Sequence, residues 1–257
     1  MASPILFLHG WTMRGAVFDD LAARMGPDFD CLAPDLPGHG AAAGAAAGRP
    51  ATIEACAEMV AAMLDGYPEN AVTVVGWSMG AAVAWRYVAG FGTARLRGLV
   101  TVDMSPKLMP SRDWQHGLKC QTAETVAAST RRFAEDWTGA APGIARTMFA
   151  TPAGAPGFSC IDALRVILAQ DADDMRALWG DLVALDQRDV IAEIDVPYLV
   201  CSGAQSRVYP AAVSDWIAAT APQARRRVFR RSGHSPHLEE AGAFAGMLSR
   251  FVASLDG

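Results

Sequence analysis

Short, continuous apolar runs recur along the chain, and longer segments with apolar positions at helical spacing separate them. The runs lack the two-residue alternation of a strand with one solvent-facing side, which indicates burial on both faces of a parallel sheet. Most of them end at Gly or Pro turns, as strands do. The pattern predicts six strands, over residues 5–8, 29–33, 71–75, 96–102, 196–202 and 226–229.

Helices are predicted between these strands. Thr52 is a suitable capping residue in front of a segment whose apolar positions fall on one face, and this combination is typical of a helix start. Strands that alternate with helices form right-handed crossovers, so we expect an α/β fold with helices on both faces of a mainly parallel sheet. The predicted helices cover residues 52–65, 79–89 and 239–255.

The strand signal disappears between Ser105 and Asp195. A helix-only run of this length exceeds what a crossover needs, so we interpret it as a helical cap inserted over the sheet. The predicted domains are an α/β core, residues 1–105 and 190–257, and a cap, residues 106–189. Helical patterns in the cap cover residues 122–137, 142–149, 160–170 and 173–186, with Pro and Gly between them.

The chain has 257 residues, of which 51% are hydrophobic, and a formal net charge of −5. This length and apolar content suit one large domain or a domain with a sizeable insertion. The acidic balance argues against a nucleic-acid partner, which favours a basic stripe. Residues 41–48, AAAGAAAG, are of low complexity, and their two glycines predict a mobile surface loop.

The cysteines and the N-terminal segment bear on the compartment. The five cysteines are scattered without a CxxC pair, which argues against a disulfide framework and against a zinc site, and free thiols suit a reducing compartment. The first apolar run is too short for a signal sequence, and no stretch reaches the roughly 18 apolar residues that span a membrane. We therefore expect a cytoplasmic protein without a membrane partner.

The motif G-x-S-x-G occurs at residues 76–80, GWSMG, between a predicted strand and a predicted helix. This context is typical of a nucleophile elbow, a turn so tight that side chains near the serine would collide. The elbow presents Ser78 at a helix N-terminus, where backbone N–H groups stabilise developing negative charge. Ser78 is the predicted nucleophile.

A serine nucleophile needs a base. His234 follows the last strand and precedes the last helix, which brings it to the carboxyl edge of the sheet, where the elbow also opens. We predict His234 as the base. His237, three residues further on, is the alternative, although its place as a polar residue at the start of the final helix explains it as well.

Residues 9–11, HGW, end the first strand at the same edge. The backbone N–H groups of Trp11 and Met79 are predicted to form an oxyanion hole, with Trp77 beside them as a substrate-binding residue. His9 is expected to brace this loop by hydrogen bonding rather than to carry a proton. Neither a metal nor another cofactor is predicted.

The motifs HGW at 9–11, DLPGHG at 35–40, GWSMG at 76–80 and the pair Gly233-His234 occur in the order of the α/β-hydrolase superfamily and cover nearly the whole chain. HGW followed by VF, GWSMG, and LVTV before SP resemble more closely the pimeloyl-[acyl-carrier-protein] methyl ester esterases of biotin synthesis. This resemblance implies a parallel sheet with a four-helix cap. It also implies ester hydrolysis by Ser, His and Asp without a metal or cofactor.

The same resemblance implies a partner and exposes two departures. Cap arginines bind the acyl carrier protein in these esterases, and Arg131, Arg132 and Arg146 lie in comparable predicted helices. The usual hairpin before the HGW strand is absent from this sequence. After the fifth strand, residues 203–210 read GAQSRVYP, and Ser206 occupies the position at which the family has its acid.

Asp103 offers a replacement for the missing acid. It ends the fourth strand at the same carboxyl edge, and its position resembles that of the acid in the haloalkane dehalogenases. A carboxylate only needs to reach the Nδ1–H group of the histidine, whatever its place in the chain. We predict Asp103 as the third triad member. The alternatives left open are a bridging water or Ser206 hydroxyl, or one of the carboxylates Asp35, Asp215 and Glu239.

These residues predict a serine hydrolase that cleaves a small carboxylic ester through an acyl-enzyme. Apolar residues of the cap would supply part of its pocket. The resemblance favours a pimeloyl-carrier-protein methyl ester as the substrate. Two alternatives stay open: a lactonase for enol-lactones or homoserine lactones with the same triad, and a ligand-binding homologue with impaired catalysis.

Overall fold

A computed structural model describes residues 2–43 and 51–256 of the chain. Gly40–Ala42 form a short 3₁₀ turn, whereas residues 44–48 of the predicted mobile loop lie outside the described residues. Within the described part, no helix is long and apolar enough to cross a membrane.

The strands of the described residues are β1 (Ser3–Leu8), β2 (Phe29–Leu32), β3 (Val72–Trp77), β4 (Leu96–Val102), β5 (Gly154–Ala155), β6 (Phe158–Ser159), β7 (Tyr198–Gly203) and β8 (Ala224–Phe229). Six of them form one sheet in the order β2-β1-β3-β4-β7-β8, and every neighbouring pair in it is parallel. The predicted six-stranded sheet is therefore confirmed. Because β2 and β3 pair with opposite edges of β1, the chain order reverses there, and open α/β sheets place their sites at such a switch point.

The helices of the described residues are α1 (Asp19–Met25), α2 (Ile53–Leu64), α3 (Met79–Phe91), α4 (Ala123–Glu135), α5 (Trp137–Thr147), α6 (Cys160–Leu168), α7 (Ala172–Ala184), α8 (Arg188–Ile191), α9 (Ala212–Thr220), α10 (Pro236–Glu239) and α11 (Ala241–Ala253). Thr52 caps α2, because its hydroxyl oxygen accepts the N–H of Ala55 at 3.1 Å. Helices α4 to α7 lie in the segment where the sequence predicts a helical insertion, but the segment is not helical throughout, because β5 and β6 form a short antiparallel pair between α5 and α6.

Helices cover both faces of the sheet. On β1, Leu6 and Leu8 pack with residues of α2 and α3, whereas Ile5 and Phe7 pack with residues of α1 and α11. Successive side chains of a strand point to opposite faces, and here both faces are covered. This packing explains why the inner strands of the sheet are largely apolar in the sequence.

The start of α5 differs from the prediction. The helix begins at Trp137, well before the predicted start at Pro142, and it contains this proline. Asp136 caps the new start through its carboxylate. Ala141 and Ala145 of the same helix are buried in the core, and burial of this face outweighs the low helix propensity of the proline.

The predicted final helix corresponds to α11, and the additional short helix α10 precedes it, with Glu240 between the two. The backbone of Glu240 has a φ of −126° and a ψ of 46°, which is not helical. Its carboxylate accepts hydrogen bonds from the backbone of Arg231 at 2.9 Å and from the hydroxyl of Ser232 at 2.7 Å. These bonds hold the break between the helices against the loop that follows β8.

Candidate active site

The G-x-S-x-G motif forms the turn between β3 and α3. Ser78 is the single residue between them, and its φ of 52° and ψ of −120° lie where residues other than glycine are rarely found. Its N–H donates to the carbonyl oxygen of Val102 at 2.9 Å, and its carbonyl oxygen accepts the N–H of Ala81 at 2.8 Å. The surrounding structure therefore maintains a strained backbone at the predicted nucleophile.

Close contacts require both glycines of the motif. A Cβ atom at Gly76 would lie 2.4 Å from the carbonyl oxygen of Gly80. A Cβ atom at Gly80 would lie 2.0 Å from the carbonyl oxygen of Leu8. These oxygens belong to the backbone and have little freedom to move away, so only glycine lets the elbow pack this closely against β1.

Gly80→Ala is expected to lower the free energy of unfolding by about 3 kcal/mol or more, because the backbone of the elbow or of β1 must shift. Gly90→Ala is the matched control in the same helix, since a Cβ there meets nothing within 4 Å. That change is expected to leave stability unchanged or to raise it by up to about 1 kcal/mol. Urea unfolding followed by circular dichroism measures both, and a Gly80→Ala variant as stable as the wild type would contradict the packing argument.

The structure brings Asp103 and His234 together. The Nδ1 atom of His234 lies 2.6 Å from Oδ2 of Asp103, and both side chains are buried. Asp103 follows β4 and His234 comes after β8, so two carboxyl ends of the sheet supply the pair. Because Nδ1–H of a neutral ring donates to the carboxylate, Nε2 is the nitrogen left to accept a proton.

The other carboxylates considered from the sequence have different partners. Asp35 accepts two backbone N–H groups, and Asp215 forms a surface ion pair with Arg226. Glu239 accepts three backbone N–H groups, two of which flank His234 in the chain. Among the described residues, the carboxylate placed against the His234 ring is that of Asp103.

Ser206 lies beside the acid. Its hydroxyl donates to Oδ2 of Asp103 at 2.6 Å. Since the carboxylate reaches the ring of His234 directly, the geometry does not need Ser206 as a bridge between the two. The loop position at which the family has its acid therefore holds a hydrogen-bond donor to the acid of the neighbouring strand.

Trp77 connects the elbow to the loop of His234. Its indole N–H donates to the carbonyl oxygen of His234 at 2.8 Å. The indole is almost fully buried, and it also borders the cavity over Ser78. Trp77 was predicted to bind substrate. Its indole N–H is instead hydrogen-bonded to the backbone of the loop that carries His234.

His237 is an interior residue. Its ring packs against Phe18 and Trp77, and neither ring nitrogen has a hydrogen-bond partner among the described residues. Burial, together with nearby His234, lowers the pKa of His237 to about 3. His237 lies near the start of the short helix α10, which turns its side chain into the core.

His9 and His39 hold the loop that follows β1. Nε2 of His9 accepts the N–H of Leu36 at 2.9 Å, and its Nδ1 donates to the carbonyl oxygen of Gly10 at 2.9 Å. Nε2 of His39 accepts the N–H of Thr12 at 3.2 Å. Burial lowers the pKa of His9 to about 4 and that of His39 well below its usual value, which keeps the accepting nitrogens unprotonated. These are the bracing contacts expected of His9.

A cavity of about 360 Å³ opens over Ser78 and His234. Gly10 also borders it, and a Cβ atom there would lie 3.3 Å from the Cβ of Ser78, so the loop after β1 runs directly beside the serine. Trp11 follows in this loop, and Met79 is the first residue of α3, whose N–H has no acceptor within the helix. Of the two residues predicted for the oxyanion hole, Met79 therefore follows Ser78 in the chain, and Trp11 borders the same cavity as Ser78.

The walls of the cavity are apolar, and its polar groups include cations. The indole N–H of Trp11 donates to the carbonyl oxygen of Met175 in α7 at 2.9 Å, which ties the loop after β1 to the helical insertion. The cations Lys119, Arg132 and Arg207 border the cavity, and no carboxylate is among its described lining residues. Lys119 and Arg207 were not found from the sequence, because they lie in loops without periodicity. Apolar wall residues include Leu108, Leu118, Val126, Phe133, Ile144 and Trp179.

The described side chains do not form a group suited to binding a metal ion. Within residues 2–43 and 51–256, no three His, Cys, Asp or Glu side chains are grouped so that they could hold a metal ion.

Known proteins resemble this chain over nearly its full length. The sequence profile of the alpha/beta hydrolase family matches residues 5–247. A relative from Vibrio cholerae, named pimeloyl-[acyl-carrier protein] methyl ester esterase, is 31% identical over 253 residues, which cover 96% of this chain and 93% of the relative.

Solved structures share the fold. The esterase EaEST from Exiguobacterium antarcticum has a TM-score of 0.87 at 21% identity, covering 100% of this chain and 92% of that one. An N-acyl homoserine lactonase has a TM-score of 0.78 at 21% identity, covering 99% of this chain and 91% of that one. At such identities the likeness concerns the fold alone. Given the profile match and the relative at 31% identity, this chain belongs to the alpha/beta hydrolase family.

Proposed function

We propose that the protein is a serine esterase, in which Ser78 is the nucleophile, His234 the base and Asp103 the acid that orients the base. The observation that carries the proposal is the 2.6 Å contact between Nδ1 of His234 and Oδ2 of Asp103, with His234 and Ser78 on one cavity. A homologue that only binds ligands has no need for a buried and aligned pair of this kind beside a strained serine.

The reaction proceeds in two halves. Nε2 of His234 takes the proton of the Ser78 hydroxyl as its oxygen attacks the ester carbonyl, and the resulting imidazolium is stabilised by Asp103. The backbone N–H groups of Trp11 and Met79 hold the oxyanion. His234 then protonates the departing alcohol, and a water activated by the same ring releases the acid from Ser78.

The helical insertion supplies the substrate pocket in this proposal. Residues 106–189 act as a cap over a core of residues 1–105 and 190–257, because α4, α5 and α7 each contribute cavity walls. Trp11 on the core side packs against Phe133 and Trp179 of the cap, with ring centroids 5.4 and 5.2 Å apart. The acyl chain would lie against this apolar surface.

The charges at the cavity favour a substrate that is attached to an anionic carrier. Lys119, Arg132 and Arg207 border the cavity without a neighbouring lining carboxylate in the described part. Arg131 on α4 and Arg146 on α5 are exposed, and neither borders the cavity. An acidic acyl carrier protein would suit these arginines electrostatically, and the Vibrio cholerae relative is named for a carrier-protein substrate. We propose a methyl ester of a carrier-bound dicarboxylic acid as the substrate.

A fluorophosphonate probe tests the nucleophile. We expect one covalent adduct, located on Ser78 by peptide mass spectrometry, and no adduct in Ser78→Ala, because the probe reacts only with an activated serine. The carrier-bound and free methyl esters of pimelate and N-hexanoyl homoserine lactone are then compared as substrates at equal concentration.

The outcomes of this experiment separate the alternatives. We expect kcat/KM for the carrier-bound methyl ester to exceed that for the lactone by at least about 10-fold. A higher kcat/KM for the lactone would replace the esterase assignment by a lactonase with the same triad. An unlabelled wild-type protein without activity on any of the three substrates would instead identify a binding homologue.

A further inference from the structure

We propose that Ser206 is a positioning residue, which fixes the carboxylate of Asp103 and joins it to the wall of the substrate cavity. The inference rests on the proposed function, since it concerns the acid of that site. It assigns a role to the hydroxyl that stands where the family has its carboxylate. The hydrogen bonds that this hydroxyl makes with the described residues support this role.

The hydroxyl of Ser206 donates one hydrogen bond and accepts two. It is 5% exposed and donates to Oδ2 of Asp103 at 2.6 Å. Its oxygen accepts the backbone N–H of Val208 at 3.2 Å and of Tyr209 at 3.3 Å. A hydroxyl has one proton and two lone pairs. Because two N–H groups occupy the acceptor side, its single proton is directed at the carboxylate.

The carboxylate of Asp103 has few other hydrogen bonds from the described residues to fix its orientation. Its φ of 48° lies in the left-handed region, so its backbone is held there by its surroundings, including the bond from its N–H to the carbonyl oxygen of Cys201 at 2.9 Å. Its Oδ1 atom receives only a long bond from the N–H of Gly203, at 3.4 Å. Oδ2 receives two short bonds, from Ser206 and His234, both at 2.6 Å. Without the serine, the contact with the histidine would be the one short bond from the described residues that sets the carboxylate's rotation.

The same hydroxyl also shapes the cavity. Arg207, Val208 and Tyr209 all border the cavity over Ser78, and two of them are bonded through their backbone N–H groups to Ser206. The side chain that orients the acid therefore also holds the adjoining cavity wall. Loss of the hydroxyl removes both connections at once.

Ser206→Ala tests the inference, with Ser214→Ala as the matched control. Ser214 is 2% exposed and lies in the segment after the same strand, and its hydroxyl donates to the carbonyl oxygen of Ala211 at 2.8 Å without contacting Asp103. We expect kcat of Ser206→Ala on p-nitrophenyl butyrate to fall about 10-fold through the acid, and KM to rise as the cavity wall loses its backbone hydrogen bonds. Ser214→Ala is expected to keep the wild-type kcat.

A spectroscopic readout separates positioning from a general loss of structure. The low-field proton NMR resonance of the Nδ1–H group of His234 reports its bond to Asp103, and we expect it to shift or broaden in Ser206→Ala and to stay unchanged in Ser214→Ala. A wild-type kcat together with a wild-type resonance in Ser206→Ala overturns the inference.

Failure of the proposed triad looks different. In that case Asp103→Asn itself would retain full kcat, whatever Ser206→Ala does. If Asp103→Asn is inactive while Ser206→Ala behaves as wild type, the triad stands and only the role of Ser206 is lost. Thermal unfolding of all variants by circular dichroism confirms that folded proteins are compared.

Discussion

Asp103→Asn is expected to lower kcat by at least about 10²-fold and up to about 10⁴-fold while the fold stays intact. The asparagine has nearly the same shape, but its amide carries no negative charge. An imidazolium at His234 would lose its counter-charge in a buried site, and the amide N–H₂ group would favour the wrong tautomer of the ring. Steady-state kinetics on p-nitrophenyl butyrate measures the loss of turnover.

Asp215→Asn serves as the control for this substitution. It makes the same chemical change at a surface ion pair with Arg226, where little effect on activity or stability is expected. Circular dichroism and thermal unfolding establish that both variants are folded. Full activity of a folded Asp103→Asn variant would remove Asp103 from the triad and return the question to the other carboxylates.

Acidification is expected to destabilise the fold by about 5 kcal/mol between pH 6.5 and pH 4. Burial lowers the pKa of His9 to about 4 and that of His237 to about 3, from an ordinary value of 6.5. Above pH 6.5 these rings are neutral in both states, so their contribution to stability is complete. As the pH falls below 6.5, the unfolded chain binds protons that the folded chain does not, and each such group removes about 1.4 kcal/mol per pH unit.

Further groups change the size of this effect, among them His39 and Glu239. Burial also lowers the pKa of His39, which adds to the loss of stability in acid. Burial raises the pKa of Glu239, and a carboxyl with a raised pKa works in the opposite sense, because the folded state then binds its proton more readily. The histidines outnumber this one opposing group, so the net slope follows them.

Urea unfolding at pH 7.5, 6.5, 5.5 and 4.5 measures the slope. His237→Leu removes a titrating group without removing a hydrogen bond, since the ring nitrogens of His237 have no partner among the described residues. It is therefore expected to flatten the slope. A free energy of unfolding that does not change between pH 6.5 and pH 4.5 would show that these rings do become protonated in the folded state.

Much of the fold could be predicted because its signals are local. Apolar runs marked the inner strands β1, β3, β4 and β7, since a parallel sheet covered on both faces selects such runs, whereas the edge strands β2 and β8 carry charged residues. The start of α5 could not be read in the same way. A proline weakens helix propensity locally, whereas burial of Ala141 and Ala145 depends on the core against which they pack.

In the candidate site, too, features set by neighbouring residues could be predicted, whereas features set by packing could not. Ser78 is recognisable because the elbow needs glycines at fixed spacing between a strand and a helix, and the contacts at Gly76 and Gly80 follow from that turn. The burial of His237 could not be predicted, because nothing in its neighbouring residues reveals that α10 turns the ring towards Phe18 and Trp77.

The sequence by itself determined the parallel sheet, the strained serine turn and the histidine at the sheet's carboxyl edge, since each depends on residues close together in the chain. The tertiary structure alone decided which carboxylate meets that histidine. Asp103 and His234 are 131 positions apart, and their 2.6 Å contact exists only because β4, β7 and β8 end side by side. The same packing placed Ser206 against Asp103 and brought Lys119, Arg132 and Arg207 to one cavity. Such distances depend on how remote segments pack together, which no local pattern records.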